Sequence, residues 1–509
     1  MFMAPFALWL IWTALIRWPF AFNFDEDEPF FSVVATRWLS GELPYVNSFD
    51  VKPPLLFAIY ALTQSLFGAS PVVLKGLEVF AVAAGAMTLY RLVLAHGTRP
   101  AALWAALLYP IYSLSLSGVN APNTLIQLPF IILAFDCMLT VSSDRSRTGL
   151  KSVFIAGVLI GAATMIKQTA IFEAAALGGL CLFSSDLRSG IRPGIWPDIR
   201  PGIWRLALFA TGAALLPVVF ALYFTLNGHF AEFFFAVFIA ASGRLQGDAI
   251  TVSGVLSGAK ISYWEGCLRL IPLTKPLFFL VGCSVLTLTR FDIIKTATPS
   301  RYLKIYCLWL LAAVIGVIAL RSMYAHYAMS LIPPLLILSG AFVAHGLKVK
   351  SAWKPVCVAL LVAGAVLVPV YLSREALAHS HLDIRAAEKM TVRITQAGLQ
   401  KDDRILALDR SLMVNVLTGH MPDTPYFHPQ HLFCAFPTAV SDPLMTAMAG
   451  KPRFIVVADQ RISMACEAPN RMDRIMPLIN ERYDYIGEEK GDWDILKLYR
   501  LKPRSDVIN

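Results

Sequence analysis

Apolar runs about as long as a bilayer is thick recur along most of this chain, and no other feature limits its fold so strongly. A helix needs about 17–25 mostly apolar residues to cross the hydrocarbon core, where every backbone N–H and C=O must be bonded within the segment. Such runs lie near residues 2–22, 71–95, 100–118, 122–142, 152–167, 169–184, 206–226, 273–289, 305–320, 328–346 and 355–372. The sequence therefore predicts an α-helical polytopic membrane protein with about eleven transmembrane helices. Composition agrees: 57% of residues are hydrophobic and 15% charged, against about 25% charged in soluble domains. An ordinary soluble enzyme is excluded.

Charge sets the orientation. The net +10 lies wholly in residues 1–372, with 26 basic and 16 acidic side chains, while residues 373–509 carry 18 of each. Loop lysines and arginines of a membrane protein account for this excess, so no nucleic-acid partner is expected. With the N-terminus cytoplasmic, the inner loops collect Arg145, Arg147, Lys151, Arg188, Arg192, Arg200 and Arg205, then Arg290, Lys295, Arg301, Lys304, Lys348, Lys350 and Lys354. That is the positive-inside pattern of a multi-pass protein of the plasma (inner) membrane. Eleven spans then place residues 373–509 outside the cytoplasm. The first span has neither a basic n-region nor an A-x-A site and reads as a retained anchor.

Two domains are expected: a transmembrane domain over 1–372 and a small extracytoplasmic α/β domain over 373–509. In the tail, residues 404–409, 453–459 and 494–500 read as strands, and 384–399 and 470–482 as helices. Cys434 and Cys466 both fall in this tail, where an oxidising compartment permits but does not require their pairing. On the outer face, Pro29–Leu39 and Pro54–Phe67 read as short helices lying in the membrane interface. Between Leu226 and the span at 273 comes an aromatic-rich run, His229 to Phe235.

The informative stretch follows the first span: Asp25-Glu26-Asp27-Glu28 directly before Pro29. Four adjacent carboxylates at a membrane surface repel one another. One reading is capping, since acids before a first-turn proline suit a helix N-terminus. Downstream stand Gly41-Glu42-Leu43-Pro44-Tyr45, then Phe49-Asp50, then Lys52-Pro53-Pro54.

This order resembles the GT-C glycosyltransferases that use polyprenyl-phosphate sugars, among them the dolichyl-phosphate-mannose–protein mannosyltransferases, the lipid A aminoarabinose transferase and the lipid A galacturonosyltransferases. Looser matches are Lys167-Gln168-Thr169, and Arg321, His326-Tyr327 and Pro333-Pro334. The resemblance implies an inverting transferase with a polyprenyl-phosphate sugar as donor and an extracytoplasmic glycolipid, glycan or protein as acceptor. In it Asp27 is the general base, and Glu28 orients an acceptor or a cation. Lys52 and Arg321 meet the donor phosphate, while Tyr45, Asn120, Asn123, His326 and Tyr327 contact substrate.

Each residue also has a plainer reading. Lys52 and Arg321 serve equally as interfacial anchors, and His326 as a polar residue satisfied within a helix bundle. Lys167 and Glu173 are ionisable groups at membrane depth, too far apart in sequence to pair along one helix. Some relatives carry an acid in the second outer loop; Ser117 to Thr124 has none. Neither a metal nor an organic cofactor is expected. The alternatives to a transferase of single sugars are a ligase that moves a whole glycan and a transporter or flippase. The latter is disfavoured by the lack of internal repeat symmetry.

Overall fold

A computed structural model of the 509-residue chain describes residues 3–143, 147–183, 200–241, 271, 274–289, 300–319, 325–348, 359, 363–364, 367, 371, 382–428, 451–459, 471–491 and 495–503. The predicted span 355–372, Arg321, Cys434 and Cys466 lie outside the described residues, apart from isolated positions in the span. The chain divides into two compact units. The first comprises Met1–Pro19, Leu77–Tyr223 and Cys267–His379; the second comprises Phe20–Gly76, Phe224–Gly266 and Ser380–Asn509.

The first unit is a helical bundle. Its helices are α1 (Met3–Arg17), most of α4 (Pro71–His96), α5 (Arg99–Tyr112), α6 (Pro122–Ser143), α7 (Arg147–Ile166), α8 (Ile171–Phe183), nearly all of α9 (Arg200–Leu226), α11 (Phe278–Thr289), α12 (Ser300–Ala319) and α13 (Ile332–Lys348). Among the described residues, six helical segments are long and apolar enough to cross a bilayer, and shorter apolar helices accompany them. Their shared core runs from Val82 to Ala344, with Trp309 stacked on Phe135 at 4.1 Å between ring centroids. Lipid is as apolar as leucine, so such helices associate by close packing where side chains are small. Here Gly157 and Gly161 of α7 face Phe209, Gly212 and Ala213 of α9. A Cβ on Gly157 would stand 2.2 Å from the Phe209 carbonyl oxygen, and one on Gly161 would stand 2.4 Å from that of Ala213.

The second unit holds β1 (Asn23–Phe24), α2 (Asp27–Leu39), α3 (Pro54–Phe67), α10 (Phe230–Phe234, continued as a π-helical turn over Phe235–Ala240) and the tail. The helices α2 and α3 pack through Phe31 against Phe57 and Tyr60, and Gln64 donates to Ser32 Oγ at 2.7 Å. Leu62, Leu66 and Phe67 of α3 stay exposed, the apolar face expected of a helix lying in an interface.

The tail contains β2 (Leu382–Asp383), α14 (Ile384–Gln396), β3 (Ile405–Leu408), α15 (Met413–Thr418), β4 (Phe454–Asp459), α16 (Arg471–Arg482), β5 (Tyr483–Lys490) and β6 (Ile495–Leu501). Four of these strands form a sheet in the order β3-β4-β6-β5, with β3 and β4 parallel and the other pairs antiparallel. The sequence pattern finds β3, β4, β6, α14 and α16. It misses β5, whose Tyr-Asp-Tyr-Ile-Gly-Glu-Glu-Lys is fully buried only at Tyr483. An edge strand rich in charge escapes a search for buried alternation, and that charge protects the edge from pairing with other chains.

The glycine contacts give a direct expectation. Gly157→Ala should destabilise the bundle by about 1–3 kcal/mol, the cost of forcing atoms into a filled interior. Gly179→Ala, which has open space at its Cβ, should be near neutral. Thermal unfolding in detergent, followed by tryptophan fluorescence, distinguishes the two.

Candidate functional site

The candidate residues fall in both units, and each group is built within its own. In the second unit, α2 begins inside the acidic run, with Glu26 at its N-cap and Asp27 and Glu28 in its first turn. Carboxylates are favoured there by the partial positive charge of the helix N-terminus. The two neighbours diverge. Asp27 is half-buried at the helix start, whereas Glu28 is fully buried and its Oε1 lies 2.8 Å from Lys75 Nζ. Glu28 Oε2 accepts the Asp25 backbone N–H at 2.8 Å, and Asp25 Oδ1 accepts that of Glu26 at 2.8 Å. Lys75 Nζ also sits 4.7 Å from the centre of the Phe24 ring. Just before the run, Asn23 and Phe24 pair antiparallel with Asp383 and Leu382 of the tail.

The segment between α2 and α3 is a folded loop. Gly41 and Tyr45 both adopt positive φ, +94° and +71°, which explains a glycine at the first but makes the second a strained tyrosine. Surroundings hold it there. Its N–H donates to the Ser48 carbonyl at 2.8 Å, and its ring packs among Phe57, Phe224 and Phe233. Its hydroxyl donates to the Lys52 carbonyl at 2.8 Å. Burial, with the nearby charge of Asp50 adding to it, pushes the Tyr45 phenol well above its ordinary range, so it remains a donor. Lys52 itself is half-exposed, directly before Pro53 at the N-cap of α3. Glu42, in the same loop, pairs with Arg37 of α2, whose Nη1 also donates to the Thr424 carbonyl at 2.7 Å. Burial lowers the Arg37 pKa and the charge of Glu42 opposes that shift.

In the first unit, the loop between α5 and α6 carries Asn120 and Asn123, both buried. Leu116 and Ser117 there adopt positive φ of 59°. Arg17, at the end of α1, braces this turn. It donates to the Gly118 carbonyl at 3.1 Å and to Ser113 Oγ at 3.3 Å while paired with buried Glu78 at 3.0 Å. Asn123 Oδ1 accepts the Thr124 N–H at 2.7 Å. Thr124 Oγ1 in turn accepts from Lys167 Nζ at 2.6 Å. That ammonium also lies 4.4 Å from the centre of the Tyr327 ring, and His326 stands edge-on to Tyr327 at 4.7 Å. Asn123, Lys167, His326 and Tyr327 are thus gathered, and the partner sought for Lys167 is the Thr124 hydroxyl together with an aromatic face. Among the described residues, no three His, Cys, Asp or Glu side chains converge as metal ligands do.

Sequence reading passes over Lys75, Glu78 and Arg17. The available signal is two ionisable residues, Lys75 and Glu78, inside an apolar stretch. Their spacing of three suggests a pair along one helix, yet Lys75 goes to Glu28 and Glu78 to Arg17.

Tyr45 allows a graded test of the loop. Tyr45→Phe, which removes one hydrogen bond and keeps the ring, should cost about 0.5–1.5 kcal/mol. Tyr45→Ala, which empties the aromatic box, should cost about 3–5 kcal/mol. Unfolding in detergent at a range of denaturant concentrations measures both.

Residues 51–211 match the family model of dolichyl-phosphate-mannose-protein mannosyltransferases. No curated protein sequence matches the chain significantly. Among solved structures, ArnT from Cupriavidus metallidurans bound to undecaprenyl phosphate aligns over 97% of both chains with a TM-score of 0.61 at 15% identity. Its apo form gives 0.59 over the same shares. The archaeal oligosaccharyltransferase AglB from Archaeoglobus fulgidus, in complex with an inhibitory peptide and a dolichol-phosphate, gives 0.53 at 11% identity, covering 100% of this chain and 75% of that one. Likeness at these identities speaks for the fold, and the family match adds a sequence signal over the segment that opens with Lys52-Pro53-Pro54. The chain is thus similar in fold to ArnT and AglB and, over residues 51–211, similar in sequence to the dolichyl-phosphate-mannose-protein mannosyltransferases.

Proposed function

We propose that this protein is a membrane-embedded inverting glycosyltransferase that moves a sugar from a polyprenyl-phosphate donor to an extracytoplasmic glycolipid, glycan or protein. The observation that carries the reading is a partly exposed acid and a partly exposed cation at the starts of two packed helices. Asp27 is half-exposed in the first turn of α2, while its neighbour Glu28 is committed to Lys75. Lys52 is half-exposed at the start of α3, with its backbone fixed by Tyr45. Support for the donor class comes from the undecaprenyl phosphate of the ArnT structure and the dolichol-phosphate of the AglB structure.

In this reading Asp27 takes the proton of an acceptor hydroxyl as its oxygen attacks the anomeric carbon. The new carbon–oxygen bond forms opposite the bond to phosphate, which breaks with its electrons going to the departing polyprenyl phosphate. Lys52 offsets the charge that develops on that phosphate. The N-terminus of α3 adds its own partial positive charge beside it. Tyr45 acts in donor binding through Lys52. Asn120, Asn123, His326 and Tyr327 are assigned to substrate contact, and Arg321 to the donor phosphate. The N-terminus faces the cytoplasm of a plasma-membrane protein, and the tail lies outside it.

The test is the mass profile of membrane lipids and surface glycans from cells carrying wild type, Asp27→Asn or Lys52→Ala at matched expression. Both variants should lose one sugar mass from one acceptor, with at least a hundredfold fall in product. Unchanged glycans in the Asp27→Asn cells would remove Asp27 as the base. Loss of a whole oligosaccharide would redirect the reading to a glycan ligase. A carrier lipid trapped on the inner face would redirect it to a flippase.

A further inference from the structure

Three features outside the proposed chemistry stand out: the aromatic ladder of Phe230, Phe234 and Phe238, the Arg17–Glu78 pair, and the Glu28–Lys75 pair. Nothing in the structure says what covers the ladder. The Arg17 pair braces a loop whose asparagines are already assigned to substrate contact. The Glu28–Lys75 pair touches the turn that presents Asp27.

We propose that Lys75 is a positioning residue for Asp27, acting through Glu28; this rests on the reading of Asp27 as the base. Several contacts converge on the turn. Glu28 follows Asp27 directly and is pulled inward by Lys75 at 2.8 Å, with no exposed surface of its own. Its second oxygen draws the Asp25 N–H back over the helix start at 2.8 Å. Residues 25 to 28 are therefore wound around a buried carboxylate, beside which Asp27 keeps part of its surface exposed. Lys75 also covers the ring of Phe24, the residue before the run, and Phe24 is itself strand-paired to Leu382. The ammonium thus clamps both ends of a tetrapeptide whose like charges would otherwise spread it.

The pair is costly in ways that argue for such a role. Two charges buried together gain little over an apolar pair of the same shape, so stability alone is a weak reason for them. Lys75 stands near the start of a helix of 26 residues, a rigid base from which to fix a side chain's direction. General-base catalysis requires the carboxylate within hydrogen-bond reach of the hydroxyl it deprotonates. A displacement of about 1 Å at such a group can lower turnover by roughly a hundredfold.

The decisive comparison uses the full-length protein in membranes supplied with polyprenyl-phosphate sugars extracted from the producing cells. Release of free polyprenyl phosphate is read by mass at graded donor concentrations. The double variant Glu28→Gln/Lys75→Met removes both charges at similar volume and leaves no buried charge alone. Its kcat should fall about ten- to a hundredfold with the donor KM within twofold and thermal unfolding near wild type. Lys75→Arg, which keeps the charge, should recover at least a third of wild-type turnover. A double variant with wild-type kcat would overturn the positioning role, as would a loss that appears wholly in donor KM. Low turnover that tracks loss of folded protein would also overturn it. Asp27→Asn separates the two levels. If that variant is inactive while the double variant is fully active, the positioning role fails and the base reading stands. If Asp27→Asn is itself active, the base reading fails.

Discussion

A charge removed from water must find an opposite charge or enough hydrogen bonds, and in this protein that requirement fixes the geometry around the candidate site. Glu28 is fully buried, as is Glu78, and each has a cation within 3.0 Å. Arg37 is treated in the same way, held between Glu42 and the Thr424 carbonyl. Buried pairs in general add little stability over apolar substitutes. What each of these three does is remove the freedom of a loop. Glu28 shapes the acidic turn, Arg17 shapes the turn that leads to Asn120, and Arg37 ties the Gly41–Tyr45 loop to the tail.

This pattern gives physical content to the difference between the two adjacent acids in the run. Asp27 and Glu28 look equivalent in sequence, one residue apart at a helix start. Successive helical residues point about 100° apart, so one can face the interior while its neighbour faces out. The chain uses that rotation to separate two duties: a carboxylate that holds the backbone and a carboxylate that remains available. Tyr45 and Lys52 divide in the same manner, the phenol buried among three aromatic rings and the ammonium-bearing residue half-exposed.

Much of this is legible in the sequence, and the exceptions have identifiable causes. Span-length apolar runs locate α4, α6 and α7 because hydropathy over about twenty residues is a strong signal. The start of α2 could be read from acids before a proline, and that of α3 from two successive prolines. Tail strands β3 and β4 show as short apolar runs, but β5 does not, since only its Tyr483 is fully buried and its sequence is rich in charge. Partners across long sequence distances were illegible. Lys75 and Glu78 look like a local pair, and only the fold sends them to Glu28 and Arg17. The strained backbone of Tyr45 and Ser117 has no sequence mark either, because neither is a glycine.

The pairing of Phe24 with Leu382 also bears on how the protein comes into being. The two strands lie far apart in the sequence, as do Phe49 and the Pro425 carbonyl that accepts its N–H. At ordinary rates of synthesis, on the order of tens of seconds separate the emergence of these partners. Throughout that interval the acidic run has been made but lacks its strand partner. A chain still being made therefore carries the acidic run of the candidate site but not its strand partner, and the late arrival of the tail sets when that pairing begins to exist.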